Sequence, residues 1–541
     1  MFTRTHRWFD ENIFSLGSEL RWSYLPPLMV YMAAGISGLT GIVGTFFVKD
    51  YLGLSAAFLA ALGFWASIPW ALKMPLGHLV DLIWRWKGIM VYVGAALIAL
   101  SLLIMVGLLT DRGAMTEIMP ASAWFVLSTL LAPIGYVVQD VVADGMTVEA
   151  VPYFDDNGEP LGPAQLKQMH TTMQTLGRVA IIGGSVLVAL INLYLFAGAE
   201  NLPETEKTLI YRDIYLMALV IPLISVSGVI LASFIKRRDI RRMLGTGLSR
   251  AEIESQLHEN IEKISPNWWI LGGSLVFVVF TLSMGFSDYV YNQEVIFLGS
   301  FAIIAFLIVK LTRELRPEAR QTLVGTAIVI FVFRAIPSQG PGVTWWMIDD
   351  LKFDQWFFSI LSLIGSVLTL AGMFIFRRFM AEYSIAYVIG ALTIAGTLLA
   401  LPFLGMFYGM HEWTSAMTGG VVDARFIAII NTALESPLGQ IAMIPMLAWI
   451  ANSAPANLKA TYFAVMASFA NLALSLSQLG TKYLNQIYTV TREVRDVATD
   501  ELQIAADYSE LGELILVSIV IGLVLPFVAI WIVRASRLRW A

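Results

Sequence analysis

Cysteine is absent from all 541 residues, which excludes disulfides, thiolate metal ligands and thiol catalysis together. Charge is scarce, because Asp, Glu, Lys and Arg make up only 14% of the chain against about 25% in a soluble domain. There is no basic excess either. The 35 Lys and Arg are outnumbered by 40 Asp and Glu, so the surface lacks the sign that nucleic acid requires. The five histidines (His6, His78, His170, His258 and His411) show no metal-ligand spacing. No G-x-x-x-x-G-K-[ST] phosphate loop, H-E-x-x-H or G-x-S-x-G element occurs, which argues against an enzyme and against nucleotide hydrolysis by that route. No cofactor is implied.

What the chain has is apolar length. Hydrophobic residues make up 57% and the mean hydropathy is +0.71. They fall in blocks long enough to cross ~30 Å of hydrocarbon at ~1.5 Å per residue. The chain therefore reads as an all-α polytopic membrane protein with about fourteen spans, at 25–48, 55–80, 88–110, 119–143, 170–198, 213–235, 267–286, 292–311, 321–347, 355–376, 382–408, 425–451, 460–487 and 512–534. An even number puts both termini on one side. Most basic residues then fall on that side, including Lys236, Arg237, Arg238, Arg241 and Arg242, so both termini are expected in the cytoplasm. The charged N-terminal segment MFTRTHRWFDENIFSLGSELRW is expected to be retained.

The organisation expected is 6 + 2 + 6: a cytoplasmic segment 1–24, a six-helix bundle 25–236, a linker 237–266, an extra helix pair 267–311 and a second six-helix bundle 312–541. Within the linker, Ser249 to Glu252 has a capping-box pattern and Ile253, Leu257, Ile261 and Ile264 follow at helical spacing. This reads as an amphipathic helix on the cytoplasmic face, with a plain linker as the alternative. The segment 488–511 is acidic and is expected to form a helical, solvated cap. Six-span halves joined by a basic loop suggest a two-bundle transporter with its solute site between the halves.

Specific motifs sharpen this. The loop Gly77-His-Leu-Val-Asp81-Leu-Ile-Trp-Arg85-Trp-Lys87-Gly88 resembles the glycine, aspartate, basic-residue motif of the major facilitator superfamily. Its left flank, Pro69-Trp70-Ala-Leu-Lys73-Met-Pro75-Leu-Gly77, resembles the signature of the folate-biopterin transporter family. So do Gln139-Asp140-Val-Val-Ala-Asp144 and the helix break Arg334-Ala-Ile-Pro337-Ser338, followed by Trp345-Trp346 and Leu351-Lys-Phe353. The resemblance covers both six-span halves. It implies a gradient-driven carrier of the major facilitator two-bundle fold, in a bacterial inner membrane, moving an anionic solute such as folate or a pterin with protons. Other permeases with extra spans, for a muropeptide or an S-adenosylmethionine-like solute, remain alternatives, as does a non-transporting sensor. Two departures stand out. The usual member has twelve spans, and Met74 stands where the family has a proline.

Charges within the spans are the candidate site. An ionisable side chain at the bilayer centre costs about 2.5–3.5 kcal/mol on insertion scales, so such groups must be paired, wetted or useful. Asp140 and Asp144 share one face of span four, at about the depth of Lys73 on span two and Arg178 on span five. This layer is either a structural ion-pair network or a site that exchanges a proton and attracts an anion. Arg334 and Glu435 both lie near midplane, as a structural pair or as a carboxylate anchor with a switchable partner. Gln139 belongs to the same motif as Asp140. Gly77, Asp81 and Arg85 resemble a conformational latch, with a role in setting topology as the alternative for Arg85 and Lys87. Trp70, Trp345 and Trp346 either stack on a flat heterocycle or anchor span ends. Gly35, Gly38, Gly41 and Gly44 recur every three residues and suit close helix packing, while Pro133 and Pro337 interrupt spans as candidate hinges. The sequence leaves the oligomeric state open, and a monomer is compatible.

Overall fold

The computed structural model describes residues 20–540 apart from 53, 72, 84–85, 153–160, 200–201, 246–252, 254–267, 286, 288, 312, 314–315, 377–378, 380–382, 440, 442–458 and 496–501. In chain order the long helices are α1 (Trp22–Phe47), α2 (Ala56–Val80), α3 (Lys87–Thr110), α4 (Ala121–Ala150), α5 (Pro163–Leu195), α6 (Glu206–Gly245), α7 (Trp268–Gly285) and α8 (Asn292–Leu311). There follow α9 (Pro317–Arg334), α10 (Gly342–Asp349), α11 (Gln355–Ile375), α12 (Ile385–Phe407), α13 (Ala424–Glu435), α14 (Lys459–Ile487) and α15 (Leu511–Ala535). Among the described residues, eleven helices are long and apolar enough to cross a membrane. The other expected spans fall on α9 with α10, on α13 and on α14. Their described residues are too short, too charged or too polar to qualify by hydropathy alone.

The span expected at 321–347 is broken. α9 ends at Arg334 and α10 begins at Gly342, with Gly340 in the left-handed region at φ 76° between them. Non-helical backbone at membrane depth is tolerated only where protein replaces the missing hydrogen bonds. α14 does this with a ladder of three side chains four residues apart. The Ser477 hydroxyl donates to the Ile336 carbonyl at 2.6 Å, Thr481 Oγ1 accepts the Ser338 N–H at 2.9 Å, and Asn485 Nδ2 donates to the Gln339 carbonyl at 3.2 Å. Pro133, by contrast, interrupts nothing, since α4 runs through it without a break.

Helix association in lipid depends on close packing and polar contacts, because lipid tails are as apolar as leucine. α1 packs against α5 and α6, and α3 against α4. Of the glycines in α1, Gly35 carries the closest contact. A Cβ there would collide with the Ile181 carbonyl of α5, whereas Gly38 and Gly41 face open space. In the second half α9 and α12 pack on α15, and α11 packs on α13. The halves meet where α2 runs along α14 and α5 along α11. Small polar groups stitch the first seam: Ser67 to Ser475 at 3.0 Å, the Met74 N–H to Ser468 at 2.9 Å, and Asn471 to the Trp70 carbonyl at 3.2 Å.

The extra pair, α7 and α8, covers that seam, with α7 on α2 and α8 on α14. Lys482 of α14 bonds Glu294 and Gln293 of α8, each at 3.1 Å, and Gln293 reaches the Ala61 carbonyl of α2 at 3.3 Å. The basic stretch after span six continues α6 as a helix to Gly245. Apart from Ile253, the expected amphipathic stretch 249–264 lies outside the described residues.

The described residues of 488–511 do not form the expected helical cap. They form a hairpin, β1 (Val494–Arg495) against antiparallel β2 (Leu502–Ile504), prolonged by a Thr491–Asp507 bridge. Val490, Arg492 and Val494 are all buried while Thr491 and Glu493 are less so, the two-residue alternation of a half-buried strand. That alternation was present in the sequence, beneath an acidic composition that suggested a helical cap.

Candidate functional site

Lys73 lies where α2 enters the span two–three motif, and its ammonium is held by both acids of α4. Nζ stands 2.6 Å from Asp140 Oδ2 and 2.8 Å from Asp144 Oδ2. The one-turn spacing of the two carboxylates lets a single lysine bridge them. The Tyr31 hydroxyl of α1 donates to the other oxygen of Asp144 at 2.6 Å. Three helices of one half thus converge on one charged cluster. Its members differ in exposure: the side chains of Lys73 and Asp140 are each 16% exposed, and that of Asp144 is 38% exposed. Asp144 is therefore the acid open to its surroundings, and Asp140 the one that seats the lysine.

Tyr31 escaped the sequence reading because a tyrosine in an apolar span looks like core. The spacing from Tyr31 to Gly35, one turn, is the available signal, since Gly35 brings α1 close to α5. Arg178 on α5 is half-buried and lies within electrostatic reach of Tyr31, Asp140 and Arg334. Arg178 belongs to the first half and Arg334 to the second, so cationic groups of both halves approach the seam.

Other candidates fall elsewhere. Arg334 and Glu435 do not pair: Arg334 Nε donates to the Ala470 carbonyl of α14 at 3.0 Å. Glu435 is exposed and receives only a long bond from Asn431, at 3.4 Å, among the described residues. The reason is packing, since α13 lies against α11 and α12 while α9 lies against α14 and α15. Gln139 is buried and points away from Lys73, donating to the Val91 carbonyl at 3.2 Å and accepting from Ser225 at 3.0 Å. It joins α3, α4 and α6.

Trp345 and Trp346 are 1% and 3% exposed, within the core at the end of the molecule away from the termini. Trp345 lies under the Arg492 guanidinium, 4.7 Å from the ring centre, and Trp346 packs edge-on to Phe407 at 5.6 Å. Neither presents a free face for stacking. Trp70 is half-buried, its carbonyl on the α2–α14 seam. Of the latch motif, Gly77 falls in the helical turn after Lys73, while the Asp81 side chain and Arg85 lie outside the described residues. The motif's Lys87 makes an ion pair that the sequence reading did not foresee, 2.6 Å from Glu149 of α4.

Two helical halves meeting on two seams, with buried charge beside one of them, are the architecture of an integral membrane protein of the major facilitator type. Solved transporters share the fold. A POT family transporter in complex with 5-aminolevulinic acid superposes with a TM-score of 0.57 at 12% identity, over 95% of this chain and 96% of that one. An auto-inhibited POT family peptide transporter also gives 0.57 at 12% identity, over 96% and 98%. The nucleoside transporter NupG, in a mutant form, gives 0.54 at 11% identity, over 94% and 99%. The chain belongs to the BT1 family, whose model matches residues 34–538. A folate-biopterin transporter of Synechocystis sp. is 24% identical over 468 residues, 85% of this chain and 74% of that protein.

Proposed function

We propose that the protein is a proton-coupled carrier of a flat organic anion of the folate or pterin kind, working by rocking 25–236 against 312–541 with both termini in the cytoplasm of a bacterial inner membrane. The observation that carries this is the sharing of Lys73 between Asp140 and Asp144. When both carboxylates are ionised, the lysine is fully engaged and offers little to an incoming anion. A proton taken up by the more exposed Asp144 removes one of the two negative charges at Lys73. The remaining positive field, with Arg178 and Arg334 at the seam, then attracts a carboxylate, and the guanidinium fork suits its two oxygens. Proton and anion thereby favour each other's binding, which is what coupled carriage needs. The relative named as a folate-biopterin transporter supports the choice of solute class.

The test is uptake of labelled folate into liposomes containing the purified protein, with and without an inward proton gradient, beside Asp140→Asn and Asp144→Asn variants. Gradient-dependent accumulation that is lost in the variants supports coupling at these acids. Equal accumulation in wild type and variants overturns it. Absence of uptake in every sample overturns the solute class.

A further inference from the structure

The hairpin between α14 and α15 does more than cap the molecule. Arg492, on its outgoing strand, is only 4% exposed. Its Nε donates to the Lys49 carbonyl at 2.8 Å, and a second guanidinium nitrogen donates to the Leu54 carbonyl. Both carbonyls belong to the connection between α1 and α2, in the first half. The same guanidinium lies over Trp345 of α10, in the second half. Beside it, Asp349 at the end of α10 gathers donors from three directions. Lys49 Nζ of the first half is 2.6 Å away, the Tyr508 hydroxyl of the hairpin's return limb 2.5 Å, and the Glu493 N–H of its outgoing limb 3.3 Å.

We propose that this hairpin is a strap that holds the end of the transporter away from its termini closed, with Arg492 as the positioning residue that fastens one half to the other and the Lys49–Asp349 pair as its neighbouring clasp. The chemistry suits a bond that must open in each cycle. Arg492 donates to two main-chain carbonyls of the connection between α1 and α2 and lies over the Trp345 ring face of α10. Parting the halves breaks these contacts, and water can replace the hydrogen bonds. Closure is stabilised while both halves are in register and is reversible when they are not. The inference rests on the motion of the two halves, and on neither the solute nor the coupling acids.

Because the chain has no cysteine, two introduced ones report on it without background. Thr116→Cys, in the connection between α3 and α4, and Met417→Cys, in the connection between α12 and α13, place one spin label on each half at the strapped end. Both sites are exposed. Distances would be measured by pulsed electron resonance on the full chain in nanodiscs, without solute. With Arg492 intact a single short-distance population is expected. Arg492→Ala is expected to raise the ratio of long to short distances by about tenfold, with Arg492→Lys in between, since it keeps the charge and loses the fork. Lys49→Ala is expected to shift the ratio in the same direction. An unchanged distribution in Arg492→Ala and in the Arg492→Ala/Lys49→Ala double variant overturns the proposal. If Arg492→Ala does not fold, Arg492→Lys decides it: a shift towards long distances supports the strap and no shift overturns it. Lowered thermal stability with unmoved distances marks a merely structural role and also overturns it. Failure of folate uptake leaves this measurement untouched.

Discussion

The Lys73 ammonium stands 2.6 Å from the Asp140 carboxylate, both side chains nearly enclosed, and both belong to the same half of the molecule. The pair therefore need not break when the halves part. What can change during a cycle is the second partner, Asp144, which is more than twice as exposed as Asp140.

Removing the lysine alone leaves two carboxylates one turn apart without their counter-ion. Lys73→Ala is expected to destabilise the protein by about 3–5 kcal/mol, whereas replacing the whole cluster with apolar residues, as in Lys73→Met/Asp140→Leu/Asp144→Leu, recovers most of the loss. Thermal unfolding in detergent reads both. The triple variant should be folded and inactive in uptake, which separates the cluster's part in stability from its part in carriage.

Tyr31→Phe removes one hydrogen bond to a charged acceptor, worth about 1.5–3 kcal/mol, and leaves the ring in place. The variant should fold and insert normally. The pH dependence of uptake should shift, because the hydroxyl and a proton compete for the Asp144 carboxylate. An identical pH profile in the two proteins would place Tyr31 outside the coupling chemistry.

Thr481→Val is nearly isosteric, yet it strips the Ser338 N–H of its acceptor at the break between α9 and α10. A cost of about 1–3 kcal/mol is expected for the stranded donor. Ser477→Ala should act in the same direction through the Ile336 carbonyl. Unfolding midpoints of the two variants and their double measure whether the ladder acts as one unit.

Gly35 and Gly41 should part company despite their shared spacing. Gly35→Val collides with the Ile181 carbonyl and should sharply lower the yield of folded protein. Gly41→Ala meets open space in a helix and should gain about 0.5–1 kcal/mol. Size-exclusion profiles and unfolding midpoints compare them.

Much of this molecule could be read along the chain. Most span positions follow from hydropathy because the bilayer fixes the length of a crossing helix, and the placing of Asp140 and Asp144 on one face follows from the helical period alone. The lysine, glutamine and aspartate motifs pointed to the family to which the chain belongs. The Pro337 break could be seen, but the ladder of Ser477, Thr481 and Asn485 emerged only with the fold, because nothing in one helix says which neighbour its polar stripe will serve.

Tertiary structure decided the rest. Counting along the spans puts Arg334 and Glu435 both near midplane, but depth is one coordinate of three, and the packing of α13 on α11 and α12 keeps the two apart. Trp345 became core because Arg492 of the hairpin covers it, and Trp346 packs on Phe407 of α12. The hairpin's strand alternation around Arg492 is short and lies within an acidic segment, where composition outweighs a period of two. Local periodicity and the thickness of the bilayer are written into the sequence; which charges meet depends on contacts between residues hundreds of positions apart, and only the folded chain brings Arg492 to the carbonyl of Lys49.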